Sequence, residues 1–274
     1  MNTIATTSLF FFLKEFNLKL KYVVFYCISF ATLCYPTSGT PFAYIHAYIF
    51  SLISVFYTII AIKNKNKFLW FSIPFISLFA FLSMQTPTAY ILIIFFFYLL
   101  YYFLKSKDLK SLKSFFYGVI SSLVLFSLFI ILTRTPLIDF FYQYLLFPIS
   151  IGEARMSSDS SAYVRLTEQL NFKRIFGEFK FIHIFLLPLI LISLKNLSKN
   201  RHIDTLNLII IFSCLAYFFN QLLTANQIYI FSLIPLLAAT LQINLNFLKI
   251  DSKYFLIIIL IVLFTTTKYH LRFN

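Results

Sequence analysis

Apolar runs of 14 to 20 residues, separated by short clusters of Lys, Asn, Pro and Thr, fill almost the whole chain. A helix that crosses a bilayer needs about 20 apolar residues, and fewer where Lys or Tyr at its ends reaches the interface. On that rule the pattern predicts nine spanning helices, near residues 22 to 35, 43 to 62, 68 to 83, 89 to 104, 114 to 133, 181 to 194, 206 to 219, 228 to 247 and 254 to 267. The expected fold class is all-α, a polytopic transmembrane bundle forming a single integral membrane domain over residues 1–274, because helices satisfy their own backbone in lipid. Ser8 to Leu20 places Phe10, Phe11, Phe12 and Leu13 ahead of Lys14 and Glu15, which fits either an interfacial segment or the tail of another helix. One long connection, residues 134–180, breaks the rhythm. It opens at Pro136, and over Leu137 to Pro148 it sets Asp139 and Gln143 four apart among Phe, Tyr and Leu, the pattern of a helix lying on the outer surface.

Composition supports the membrane assignment. The 274 residues are 60% hydrophobic with mean hydropathy +0.86, against about 45–50% apolar in soluble domains. In a soluble protein the formal charge of +14 would point to nucleic acid. Sorted by connection, however, 15 of the 23 Lys and Arg fall in alternate connections: Lys14, Lys19, Lys21; Lys63, Lys65, Lys67; Lys105, Lys107, Lys110, Lys113; Lys195, Lys199, Arg201; Lys249, Lys253. Basic residues collect on the cytoplasmic side. That side then carries +11 and the other +3, with no Lys or Arg in the short outer connections 36 to 42, 84 to 88 and 220 to 227. The expected location is an inner (plasma) membrane, multi-pass, with the N-terminus cytoplasmic and the C-terminus outside. Most of the charge describes orientation, and no nucleic-acid partner is expected. Cys27, Cys34 and Cys214 lie in apolar stretches, which implies no disulfide framework, and the start lacks the pattern of a cleaved signal peptide. Four Gly in the whole chain argue against helix packing built on small-residue repeats.

Candidate chemistry gathers at the outer helix ends. Thr37 to Thr40 join the first two spans, Gln85 precedes Thr86-Pro87-Thr88, Asn220-Gln221 and Asn226-Gln227 flank the seventh-to-eighth turn, and His46 lies one turn into the second span. Turns favour such residues for their own sake, yet with Asp139, Glu153, Arg155, Asp159 and Arg165 these groups could line an outward-facing cavity. Amides, hydroxyls and a few charges beside lipid suit a sugar on a lipid phosphate. Arg155 has the fork that phosphate oxygens favour, or pairs with Glu153 or Asp159. Asp139, Glu153 and Asp159 are the carboxylates placed for general-base work on an acceptor hydroxyl. No phosphate-binding Gly loop, zinc His pair or nucleophile elbow occurs. No cofactor is expected, although the loop carboxylates leave room for a divalent metal. The spans hold almost no ionisable groups besides His46 and His183, which disfavours ion-coupled transport.

The stretches FLSMQTPTAY (81–90), FFYQYLLFPISIGEARM (140–156) and FFNQLLTANQIYIFSLIPLLA (218–238), with the long outer loop, resemble GT-C-type membrane glycosyltransferases. The likeness is to the dolichyl-phosphate-mannose protein mannosyltransferases and aminoarabinose transferases. It covers roughly residues 36 to 240 and is one of pattern. It implies transfer of a sugar from a polyprenyl-phosphate carrier to a lipid or glycan acceptor at the non-cytoplasmic face, in cell-envelope polysaccharide biosynthesis, with Gln85 and Arg155 on the carrier phosphate or sugar. Such enzymes carry a catalytic acid in the first outer loop, and here Pro36 to Phe42 holds no Asp or Glu. Either the chain is a partial copy lacking an N-terminal acidic loop, or the base comes from residues 134–180. The alternatives are an O-antigen or polysaccharide polymerase or ligase, which Arg134, Arg155, Arg165 and Arg174 would fit, and a non-catalytic membrane subunit.

Overall fold

The computed structural model describes residues 1–34, 42–156, 168, 170–196, 201–224, 230–250 and 253–272. Among them every regular element is helical. In chain order these are α1 (Asn2–Glu15), α2 (Leu20–Leu33), α3 (Ala43–Asn64), α4 (Lys67–Ser83), α5 (Gln85–Ser106), α6 (Leu109–Leu132), α7 (Leu137–Phe141), α8 (Phe147–Met156), α9 (Lys180–Asn196), α10 (Arg201–Thr224), α11 (Leu233–Phe247) and α12 (Lys253–Arg272). A π-helical turn (Tyr142–Leu146) joins α7 to α8, another (Lys173–Glu178) precedes α9, and a 3-10 turn (Ile230–Ser232) leads into α11. Each of the nine expected segments overlaps a helix, although 22–35, 114–133 and 228–247 extend beyond theirs and residues 35, 228 and 229 lie outside the described set. Among the described residues six helices are long and apolar enough to cross a membrane: α3, α5, α6, α12, α10 from His202, and α11 together with its 3-10 turn. Leu20–Leu33 and Lys67–Ser83 are apolar but shorter, and α9 has 17 residues.

Tight turns fix the antiparallel neighbours. Lys65 ends α3 in the left-handed conformation (φ 52°), and the next residue, Asn66, caps α4 by accepting from the Phe68 and Leu69 amides. Lys107 (φ 51°) and Asp108, which accepts from the Ser111 amide, repeat the device between α5 and α6. Such a cap contributes about 1 kcal/mol. α3 packs against α1, α4, α5 and α10, while α11 packs against α2, α9, α10 and α12. These two helices form the interior. α6 leans chiefly on α4 and otherwise faces outward.

Two features depart from the sequence-based expectation. The scarcity of glycine does not rule out a small-residue contact: Ser111, Gly118 and Ser122 form the buried stripe by which α6 meets α4. A Cβ on Gly118 would stand 2.3 Å from the Phe71 carbonyl oxygen, so the two backbones touch there. One turn away, the Ser114 hydroxyl donates to the Lys67 carbonyl (2.6 Å). The stretch after Met1, in turn, is a packed helix. α1 buries Ala5, Leu9, Phe12 and Leu13 against α2 and α3. The Glu15 end of α1 pairs with Lys63 (3.6 Å) and accepts from Asn64 (3.0 Å), while at the opposite end the Asn2 amide donates to the Ala31 carbonyl (2.8 Å). Met1 therefore lies at the end of the bundle away from Lys63. The three cysteines are buried and free.

Candidate functional site

At the end of the bundle away from the Lys-rich turns, α7, the π turn and α8 make an almost continuous helical segment from Leu137 to Met156. Pro136 precedes its first turn, and Asp139 places a carboxylate near the positive end of the helix. The segment is held by its π turn. The Gln85 side-chain amide donates to the Tyr144 carbonyl (2.9 Å), and the Tyr144 hydroxyl donates to the Phe81 carbonyl (2.9 Å) and also to that of Leu82. Tyr144 stacks on Phe140 (4.9 Å between centroids), and Phe140 lies 5.3 Å from Phe126 of α6. Burial pushes the Tyr144 phenol up to about 12. Gln85, expected on the carrier, spends its amide on fixing this segment.

Asp139 and Glu153 are both exposed on it. Fourteen residues separate them, roughly 20 Å along a helix, so they cannot act together on one bond. Arg155 belongs to α8, but its side chain lies outside the described set, as do Asp159, Arg165, Asn226 and Gln227.

A second polar group sits inside the bundle where α3, α10 and the 3-10 turn meet. The Tyr48 and Ser232 hydroxyls are 2.7 Å apart, those of Ser51 and Tyr217 2.9 Å, and the two tyrosine rings meet edge to face at 4.9 Å. Ser51, Ser54 and Thr58 continue the polar line along α3, each bonded to a carbonyl one turn back. Asn220 and Gln221, one turn beyond Tyr217 on α10, are wholly buried, and Thr224 donates to the Asn220 carbonyl (2.8 Å). His46 is half-buried near the start of α3. Tyr48, Ser51, Tyr217 and Ser232, with the buried Asn220 and Gln221, form a polar seam inside the bundle. Its four hydroxyl partners, Tyr48, Ser51, Tyr217 and Ser232, were missed in the sequence. Serine and threonine recurring at Ser51, Ser54 and Thr58 on an otherwise apolar helix is the signal that marks them.

Between α4, α5 and α6 lies a groove of about 430 Å³ lined by Pro74, Ser77, Phe81, Phe95, Leu99 and Val119, among other apolar side chains. Ser77 is nearly buried there, and its hydroxyl has no partner among the described residues. Phe81 joins the two features, since it lines the groove and its carbonyl accepts from Tyr144. Among the described residues no three His, Cys, Asp or Glu side chains come together as a metal site. A scan of protein-family models and searches of curated proteins and of solved structures return no match for the chain.

Proposed function

We propose that the protein is a multi-pass membrane glycosyltransferase that moves a sugar from a polyprenyl-phosphate carrier to a lipid or glycan acceptor at the face opposite its Lys-rich turns. The observation that carries this is the union of groove and surface segment at Phe81: an apolar groove of about 430 Å³ shares that residue with a helical segment that bears exposed carboxylates. A carrier chain in the groove brings its phosphate to the level of Tyr144. In the proposed step an ionised carboxylate takes the proton of the acceptor hydroxyl as that oxygen attacks the anomeric carbon. The bond from that carbon to the carrier phosphate oxygen breaks, and the polyprenyl phosphate leaves with the electron pair. Asp139, Glu153 and Asp159 are the candidate bases, and Arg155 and Arg165, with Asn226 and Gln227, are the candidate ligands of sugar and phosphate. The buried positions of Asn220 and Gln221 and the bond made by Gln85 favour supporting roles for those three.

The topology belongs to the same proposal. The nine spans expected from sequence run with their Lys-rich ends in the cytoplasm and the C-terminus outside, in a plasma membrane, with Leu137 to Met156 lying on the outer surface. α1 lies ahead of them, packed against α2 and α3, with Met1 at the end of the bundle away from Lys63.

The test is an assay in membranes with radiolabelled polyprenyl-phosphate sugars, comparing wild type with Asp139→Asn, Glu153→Gln, Asp159→Asn and Arg155→Ala. One carboxylate variant and Arg155→Ala should fall to background while all four still insert. If wild type moves no sugar from any such donor, the proposal fails; if it joins lipid-linked oligosaccharides instead, the protein is a polymerase or ligase.

A further inference from the structure

A cavity of about 480 Å³ opens at the Lys-rich end of the bundle, on the face opposite the proposed transfer site. Its polar wall is made by Glu15, Asn17, Lys19, Lys63, His202 and Asn246, and its floor by Tyr22, Phe247 and Phe255. Glu15 is the one carboxylate among these walls, and it is already engaged by Lys63 at 3.6 Å and by Asn64 at 3.0 Å. Lys19 is left as positive charge, beside the His202 imidazole and two amides. The backbone adds to it. Lys19, His202 and Phe255 stand at or near the starts of α2, α10 and α12, and no side chain caps the first turn of α2. Helix starts present N–H donors and a partial positive charge, so the uncapped start of α2 at Lys19 favours an anion there. The volume is that of a small-ligand site, and the floor of rings, with Tyr22 and Phe255 edge to face at 6.2 Å, suits the apolar part of an amphiphile.

We infer that this cavity binds a phosphate ester, with the phosphate between Lys19 and His202 and the amides of Asn17 and Asn246 on its remaining oxygens. The same chemistry could be offered by an anionic phospholipid headgroup or by a soluble phosphate.

The full chain in phosphatidylcholine nanodiscs containing a minority of phosphatidylglycerol provides the test, with retained lipid counted by native mass spectrometry. Wild type should retain phosphatidylglycerol over phosphatidylcholine. Lys19→Ala/His202→Ala should lose at least about fivefold of that preference, the effect of one surface cation. Asn246→Asp, which puts a carboxylate into the cavity with almost no change of shape, should also lower it and carries the test if the double variant misfolds. Lys110→Ala/Lys113→Ala removes charge from the same face outside the cavity and should leave retention unchanged. Added inorganic phosphate separates the sources: displacement of the lipid identifies a site for soluble phosphate, and retention identifies a headgroup site. Equal retention by wild type and Asn246→Asp, or an equal loss in Lys110→Ala/Lys113→Ala, overturns the inference. No sugar enters the measurement, so its failure leaves the transferase proposal standing, and the converse holds.

Discussion

α3 and α6 are alike in length and apolar character, with 22 and 24 residues, and α6 is the more apolar of the two. Their surroundings are opposite. The most apolar stretch of α3 is 78% buried inside the protein and that of α6 only 17%. In water the more apolar helix would be the inner one. Where lipid is the solvent, apolar surface gains nothing by leaving it, and polar groups and close backbone contact drive association instead. α3 carries Tyr48, Ser51, Ser54 and Thr58 on its buried side, whereas α6 has the Ser111, Gly118 and Ser122 stripe and little else. The position of a helix in this bundle is set by its few polar and small residues. Apolar content reports only that it is in the membrane.

Substitutions can break that contrast, and unfolding by SDS in bicelles would measure them. Gly118→Leu should have the largest effect, about 3 kcal/mol or more, because the new side chain meets the Phe71 backbone rather than a movable neighbour. Ser54→Leu, which makes α3 more apolar, should nevertheless destabilise by about 2 kcal/mol through overpacking and loss of its bond to Ser51. Asn207→Ala removes the partner of Asn244 from a reciprocal amide pair (2.8 Å each way) between α10 and α11, and should cost about 1 kcal/mol. Tyr144→Phe should leave the bundle intact and increase proteolysis near residues 137–156. The Tyr144 hydroxyl acts as a donor only while protonated, and its folded value lies above the ordinary 10. Its contribution is therefore complete below pH 10 and fades as pH rises towards 12, so wild-type proteolysis should be flat from pH 6 to 9 and rise above 10. Leu128→Ala, on the outward side of α6, should change stability by less than about 0.5 kcal/mol; a loss like that of Ser54→Leu would undo the contrast.

Much of the architecture is readable from the chain because the bilayer imposes one length and one secondary structure. Among the described residues each expected apolar segment overlaps a helix, whereas the left-handed Lys ahead of the capping Asn66 and Asp108 emerged only in the structure. In the long loop the structure has two short helices, Leu137–Phe141 and Phe147–Met156, joined by a π turn, where the pattern predicted one surface helix from Leu137 to Pro148. The role of α1 was hidden, since 14 residues fall below the spanning length and only packing against α2 and α3 reveals that it belongs with them. The candidate site was less legible. Gln85 and Asn220 have the same polarity in sequence whether they meet a sugar or a neighbouring helix, and long-range partners such as Tyr144 and Tyr217 decide between the two. Asp139 on α7 and Glu153 on α8 are too far apart to cooperate, a matter of axial distance that spacing alone already sets.

The two-residue joints at Lys65-Asn66 and Lys107-Asp108 also limit how the protein can move. A joint that short leaves α3 and α4, which pack along each other, little slack to tilt or slide apart, whereas α5 and α6, joined as tightly, diverge so that α6 lies on α4. Any opening of the groove must then move α5 against the packed pair of α4 and α6, from its start at Gln85, beside the residues that hold the surface helix.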